Sequence, residues 1–215
     1  MKKILWFVGL ILIGVVGYAG YFLNAAMPTT TGYTAKYICS QVFLADRNPD
    51  VVFENDIKPT PPLFAVVKTE IDRKEKTVTS QGFGFWSPMT AVCRQGCGCT
   101  LAVDSDREEL LKQAQGFVPQ QKGTPHELWP LGEAVNDSAI PVEVDRNQLK
   151  LAVEEAFLEP GPDTQRNTQA VVVVYKDQII AERYAAQFSP QTPMLGWSMS
   201  KSVTNSLVGS DAPDV

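Results

Sequence analysis

The sequence predicts a mixed α/β (α+β) chain tethered by a single N-terminal transmembrane helix. Three observations carry that expectation. Ile4 to Leu23 is a run of twenty residues without a charge, directly behind Lys2 and Lys3. Two segments, 63–86 and 169–184, concentrate β-formers around short polar turns. Helical patterns follow each of them, the last opening near Gly196 on Ser198-Met-Ser-Lys201.

The first segment has the length of a bilayer span, which takes about 20 apolar residues. The apolar core of a cleaved signal peptide is shorter, roughly 7–15 residues. An uncleaved anchor is therefore favoured, with Asn24-Ala-Ala-Met27 as the cleavage region under the alternative reading. Lysines stay on the cytoplasmic side, which places the remainder of the chain outside. Residues 24–36 read as a polar linker, with Pro28, four threonines and Gly32. The chain divides into an anchor (1–23), this linker (24–36), an extracytoplasmic region with disulfides (37–142) and a last unit (143–215).

Composition excludes several classes. At 44% hydrophobic and 20% charged the chain is not of the disordered type. The net charge of −5, with no basic block beyond the first three residues, gives no electrostatic footprint for nucleic acid.

Within 37–142, Leu63–Ile71 and Thr77–Trp86 form a plausible hairpin about the charged turn Asp72–Lys76. Prolines 59, 61 and 62 bound it upstream, and Ser87-Pro88 ends it. Asp104 to Gln113 predicts a short helix capped by Asp104 or Ser105. Residues 116–142, with four prolines, read as loop.

In 143–215, Asp145 is a reasonable N-cap for a helix reaching Leu158. Leu149, Val153, Ala156 and Phe157 share one face of it, and Glu159-Pro-Gly-Pro162 stops it. The strand beginning at Gln169 is continuously apolar, so both of its faces are expected to be buried. Lys176-Asp177 is the two-residue turn into the second strand. Gly209 to Pro213 should end the last helix.

Four cysteines, Cys39, Cys93, Cys97 and Cys99, would sit in an oxidising compartment after export. Zinc is the competing reading. The spacing Cys93-x3-Cys97-x-Cys99 lacks paired C-x2-C ligands, and the chain has one histidine, so disulfides are favoured. The pairing expected is Cys39–Cys99 with Cys93–Cys97.

Ser198 and Lys201 carry the one strong chemical hypothesis. A serine hydroxyl needs an adjacent base to become a nucleophile. A desolvated lysine can serve as that base. Spacing i to i+3 places both on one helix face. The helix N-terminus favours developing negative charge, and a backbone N–H there can contribute to an oxyanion hole. The tetrapeptide by itself fits equally an N-cap serine followed by a solvated lysine.

From about residue 145 the chain resembles the serine β-lactamase and penicillin-binding protein superfamily, in particular class C β-lactamase-related hydrolases such as 6-aminohexanoate-dimer hydrolases. The helix, the Val-Val-Val-Val-Tyr-Lys-Asp-Gln-Ile-Ile-Ala-Glu-Arg-Tyr hairpin and Leu195-Gly-Trp-Ser-Met-Ser-Lys-Ser202 carry the likeness. Ala35–Ser40 and Gly98–Leu101 resemble the leader region of proteobacterial members. The resemblance implies a β-lactamase/DD-peptidase-like fold, with Ser198 acylated and Lys201 as its proton-transfer partner. It implies a small-molecule ester, amide or β-lactam substrate, no cofactor, no metal, and a place in the bacterial inner membrane with the main domain in the periplasm. The family also uses a Tyr-x-Asn or Ser-x-Asn box and a Lys-Thr-Gly or His-x-Gly box. Fourteen residues follow Lys201 and contain neither, so the chain by itself is expected to be inactive. A non-catalytic membrane-tethered interaction protein is the alternative.

Other candidates read as structural. Tyr175 and Tyr184 fit strand packing. His126 stands in a loop with no Ser-His-Asp order around it. Asp104-Ser-Asp106 fits helix capping better than calcium, since Arg107 breaks the loop pattern.

Overall fold

A computed structural model describes residues 2–117, 124–135, 140–161 and 164–210. The architecture is mixed α+β: one very long N-terminal helix, a four-stranded sheet and two small two-stranded sheets. Helix α1 spans Lys2–Phe43 without interruption. At 1.5 Å per residue that is about 63 Å. Its first half is long and apolar enough to cross a membrane. Side chains such as Trp6, Phe7 and Ile13 stand at 75%, 67% and 69% exposure, as a lipid-facing helix requires.

The second half of α1 corrects the linker expected at 24–36. Met27, Thr31, Thr34, Ala35, Ile38 and Val42 recur at helical spacing and are buried. Buried threonines need partners, and these have them. Thr31 Oγ1 donates to the Met27 carbonyl (3.0 Å) and lies 2.8 Å from that of Ser87, and Thr34 Oγ1 donates to Thr30 (2.9 Å). A stretch that looks like a linker by its Pro, Thr and Gly content is thus a small-residue helix face pressed on a sheet. Pro28 lies inside the helix, which continues through it.

That sheet is an antiparallel meander, β1 (Val67–Asp72), β2 (Thr77–Gly82), β3 (Trp86–Arg94) and β4 (Gly98–Leu101). The β1–β2 turn is the charged one expected, with Asp72 Oδ1 accepting from the amides of Lys74 and Glu75, both at 2.9 Å. Residues 62–66 form a 3-10 turn, so β1 starts later than its β-former content suggests. Val78, Ala91 and Cys93 face the core, and Ser80 and Val92 are buried as well. Gly82 gives Met27 its space, because a β-carbon there would overlap the thioether of Met27 and force it to shift.

Between α1 and β1, helix α2 (Pro49–Val52) is capped by Asn48 and leads into a π-turn at Phe53–Ile57. The Arg47–Asp56 ion pair sits there, with side chains only 4% and 6% exposed. Tyr37 donates its hydroxyl to Asp56 at 3.2 Å, and Arg47 donates to Gln41 at 3.0 Å. Helix α3 (Arg107–Gln113) starts later than expected and is capped by Asp106, which accepts from the Glu109 amide at 2.9 Å. Residues 118–123 and 136–139 of the expected loop lie outside the described residues. Its remainder includes a parallel strand pair, β5 (Thr124–Leu128) with β6 (Gly132–Ala134).

Helix α4 (Arg146–Glu155) takes Asp145 as its cap, accepting from Asn147 (2.8 Å) and Gln148 (3.1 Å). Leu149 and Val153 are its half-buried positions; the helix ends at Glu155, short of the Leu158 expected, and Ala156 and Phe157 are half-buried just beyond it. Strands β7 (Ala170–Tyr175) and β8 (Gln178–Tyr184) form an antiparallel hairpin. Lys176 and Asp177, with φ of 48° and 57°, make a turn of the type that matches strand twist. The two-faced burial expected of β7 is corrected. Val172 and Val174 are each 47% exposed, and among the described residues β7 pairs with β8 alone. Helix α5 (Met199–Ser210) closes the described chain. It passes through Gly209, where an end was expected; residues 211–215 lie outside the described residues.

Candidate active site

Ser198 stands immediately before the first residue of α5. The loop leading to it is fixed by short-range bonds. Ala185 donates its amide to the Gln169 carbonyl (2.9 Å), Phe188 to Ala185 (2.8 Å), and Ser189 to the Thr192 hydroxyl (2.9 Å). This loop, and the segment ahead of β7, are also fastened to the N-terminal half. Arg47 lies 5.0 Å over the Phe188 ring, and Asn167 Nδ2 donates to the Asn55 carbonyl at 3.0 Å. Trp197 stacks on Tyr33 of α1 (5.8 Å between centroids, 20° between planes) and leans on Tyr37 at 6.0 Å.

Trp197 adopts φ of 43°, a left-handed conformation that a bulky residue rarely takes. The sharp bend puts the indole against α1 and turns the chain into α5. Met199 donates to the Gly196 carbonyl at 2.8 Å, and Lys201 donates its amide to the Ser198 carbonyl at 3.1 Å. Among the described residues the Ser198 amide has no hydrogen-bond partner, which leaves an N–H at the helix start.

Both sequence-predicted site residues come together. Lys201 Nζ donates to Ser198 Oγ at 3.1 Å. Both side chains face solvent. The hydroxyl of Ser200 is turned away, donating to the Trp197 carbonyl at 2.6 Å.

Of the expected pairs, Cys39 and Cys99 are neighbours, whereas Cys93 lies opposite Cys99 and not Cys97. All four are free thiols. Cys93 and Cys99 face each other across β3 and β4, and Cys39 approaches from α1. Cys97 belongs to the intervening turn, so the strand register makes Cys99, not Cys97, the neighbour of Cys93. Cys39 and Cys99 are hydrogen-bonded. The Cys99 thiol is drawn down to about 7, first by the hydrogen bond from Cys39, against the opposing effect of burial. Burial pushes Cys93 up to about 11. Among the described residues no group of three or more His, Cys, Asp or Glu side chains is placed to hold a metal ion.

The strand tyrosines keep structural surroundings. Tyr184 donates to Glu182 at 2.8 Å, and burial followed by that bond raises it to about 12, so it holds its proton. Tyr175 lies 3.4 Å from Glu143, which also pairs with Lys176 at 2.6 Å. Sequence reasoning missed Tyr33, Tyr37 and Trp197. The i, i+4 spacing of the two tyrosines was a usable signal, hidden by the reading of 24–36 as linker.

No protein-family model matches the chain, and no curated protein or solved structure matches it.

Proposed function

We propose that this chain carries the nucleophile of a membrane-anchored serine hydrolase that works through an acyl-serine intermediate on an ester, amide or β-lactam-type carbonyl. The observation that carries the reading is the 3.1 Å contact between Lys201 Nζ and Ser198 Oγ at the first turn of α5. In this reading Ser198 Oγ attacks the carbonyl carbon and its proton passes to the lysine amine. The carbonyl π pair moves to oxygen, where the Ser198 amide and the helix N-terminus offset the charge. Collapse expels the alcohol or amine, which takes a proton from the lysine, and water then releases the acid and regenerates the serine.

The resemblance of Leu195–Ser202 and of the β7–β8 hairpin to class C β-lactamase-related hydrolases supports this reading, and with it a β-lactamase/DD-peptidase-like fold. The positive residues ahead of the apolar helix support a bacterial inner-membrane site with the bulk of the chain in the periplasm. An amine base works best when water is excluded from it. Lys201 is exposed, so productive chemistry requires the pair to be covered when substrate binds.

That same exposure favours the second reading, a non-catalytic membrane-tethered interaction protein in which Ser198 simply begins a helix. One experiment separates the two. The protein in its native membranes is treated with a fluorophosphonate probe. The hydrolase reading expects labelling that disappears in Ser198→Ala and falls at least tenfold in Lys201→Ala. Absent labelling, or labelling indifferent to Ser198→Ala, favours the tethered protein.

A further inference from the structure

Beside the Ser198 element lies a pocket of about 270 Å³, walled by Tyr33, Tyr37, Leu195 and Trp197, with Lys36 and Ser40 as its polar members. Two chain segments far apart in sequence build it. Tyr33, Lys36, Tyr37 and Ser40 follow one another at helical spacing along α1, and Leu195 and Trp197 come from the loop that delivers Ser198. The three rings form a triangular cluster: Tyr33 and Tyr37 are 5.7 Å apart, and Trp197 lies 5.8 Å from Tyr33 and 6.0 Å from Tyr37. Phe64 meets Tyr33 edge-on at 5.3 Å.

Size and charge decide what fits. Whole-ligand pockets occupy roughly 300–1,000 Å³. This one is below that range, so it holds one fragment of a larger molecule. Rings only 5.7–6.0 Å from one another leave no room between them for a quaternary ammonium, so they are not an open aromatic cage. Lys36 is exposed at this site and makes no ion pair among the described residues, so it repels a cation and attracts an anion. Ser40 is committed, donating to the Lys36 carbonyl at 3.0 Å.

We infer that this pocket is a substrate subsite for a flat, apolar or ring-bearing group that carries a carboxylate, the ring lying against Trp197 and Tyr33 and the carboxylate meeting Lys36 Nζ. The inference rests on the hydrolase reading for the word substrate, but the binding itself does not. Trp197 is the link between the two, because its indole is a wall of the pocket and its backbone sets the bend that presents Ser198. Helix α1 is then both anchor and part of the binding site.

The test uses the full chain as Ser198→Ala in lipid nanodiscs, with empty nanodiscs correcting for partition. Binding of 4-(4-fluorophenyl)butyrate is followed by ¹⁹F NMR beside the matching amine. The carboxylate should bind and the amine should not. Lys36→Met should weaken the carboxylate about three- to fivefold, the range of a partly exposed charged contact. Trp197→Ala should weaken it about tenfold or more. Tyr33→Leu, which keeps a large side chain on α1, should give a smaller loss in the same direction. Equal binding of amine and carboxylate, or indifference to Lys36→Met, overturns the proposal. Because the serine is absent from this assay, binding here without fluorophosphonate labelling of the wild type leaves the pocket standing and removes the hydrolase. Labelling without binding does the reverse.

Discussion

Trp197 and Arg47 show how much of this molecule depends on single side chains. Trp197 bears an unfavourable backbone conformation that the Tyr33 and Tyr37 rings hold in place. Trp197→Gly removes the strain and the stack together. It should therefore cost the Ser198 element its position with little change in overall stability, read as lost probe labelling at an unchanged unfolding midpoint. Arg47 is a buried cation whose charge is met by Asp56. Asp56→Ala leaves that charge unpaired, for which about 3–5 kcal/mol of destabilisation is expected in urea unfolding. The reverse design, replacing both partners by apolar residues of similar volume, should cost far less.

At the scale of elements, the contact between α1 and the meander is the core of the molecule. Gly82→Ala pushes against Met27 and should destabilise by about 1–3 kcal/mol, with Met27→Ala in the same chain recovering part of the loss. The thiols at this contact make stability depend on pH in the reduced protein. Cys99 releases its proton near 7 when folded and near 9 when unfolded. Between those values the folded chain binds fewer protons, so stability rises with pH through that window and is lost as pH falls through 7. Above 9 the sign reverses, because folded Cys93 keeps its proton to about 11. Unfolding midpoints in reductant should peak near pH 9, and Cys99→Ser should remove the rise between 7 and 9. A midpoint that stays flat across that window contradicts the assigned surroundings of Cys99.

Local signals were legible in the sequence wherever one residue type determines the outcome. The Asp72 turn, the Asp145 cap, the Lys176-Asp177 hairpin turn and the covered face of α4 are of this kind. The contact of Ser198 with Lys201 followed from helical spacing alone. Features that depend on tertiary partners were not legible. Thr31 and Thr34 look like linker residues until a sheet lies against them. The neighbours of Cys93 are set by the β3–β4 register, not by sequence distance. The half-exposed face of β7 that carries Val172 and Val174 depends on what packs over the sheet.

At the scale of the whole molecule, α1 is one rigid element with two occupations. Its first twenty or so residues are fit for a bilayer, and its second half holds the sheet and, through Tyr33 and Tyr37, the Ser198 element. The Ser198 element is therefore held at a set height along α1. Tyr33 lies ten residues beyond Leu23, about 15 Å along the helix axis. Inserting four residues after Leu23 would add about 6 Å of height and rotate the sheet around the axis by roughly 40°. That insertion should leave folding intact and alter activity toward membrane-partitioned esters more than toward soluble ones.

The most direct measurement is a covalent one. The protein in its own membranes is treated with an activated ester or a β-lactam, quenched in acid, and digested with trypsin, which releases Tyr184–Lys201 as one peptide. Fragment-ion mass spectrometry should place the acyl group on Ser198, not on Ser189 or Ser200, and Lys201→Ala, which removes this cleavage site and lengthens the peptide, should slow its appearance. An unmodified peptide, or an acyl group spread among the three serines, would contradict the assignment of Ser198 as nucleophile.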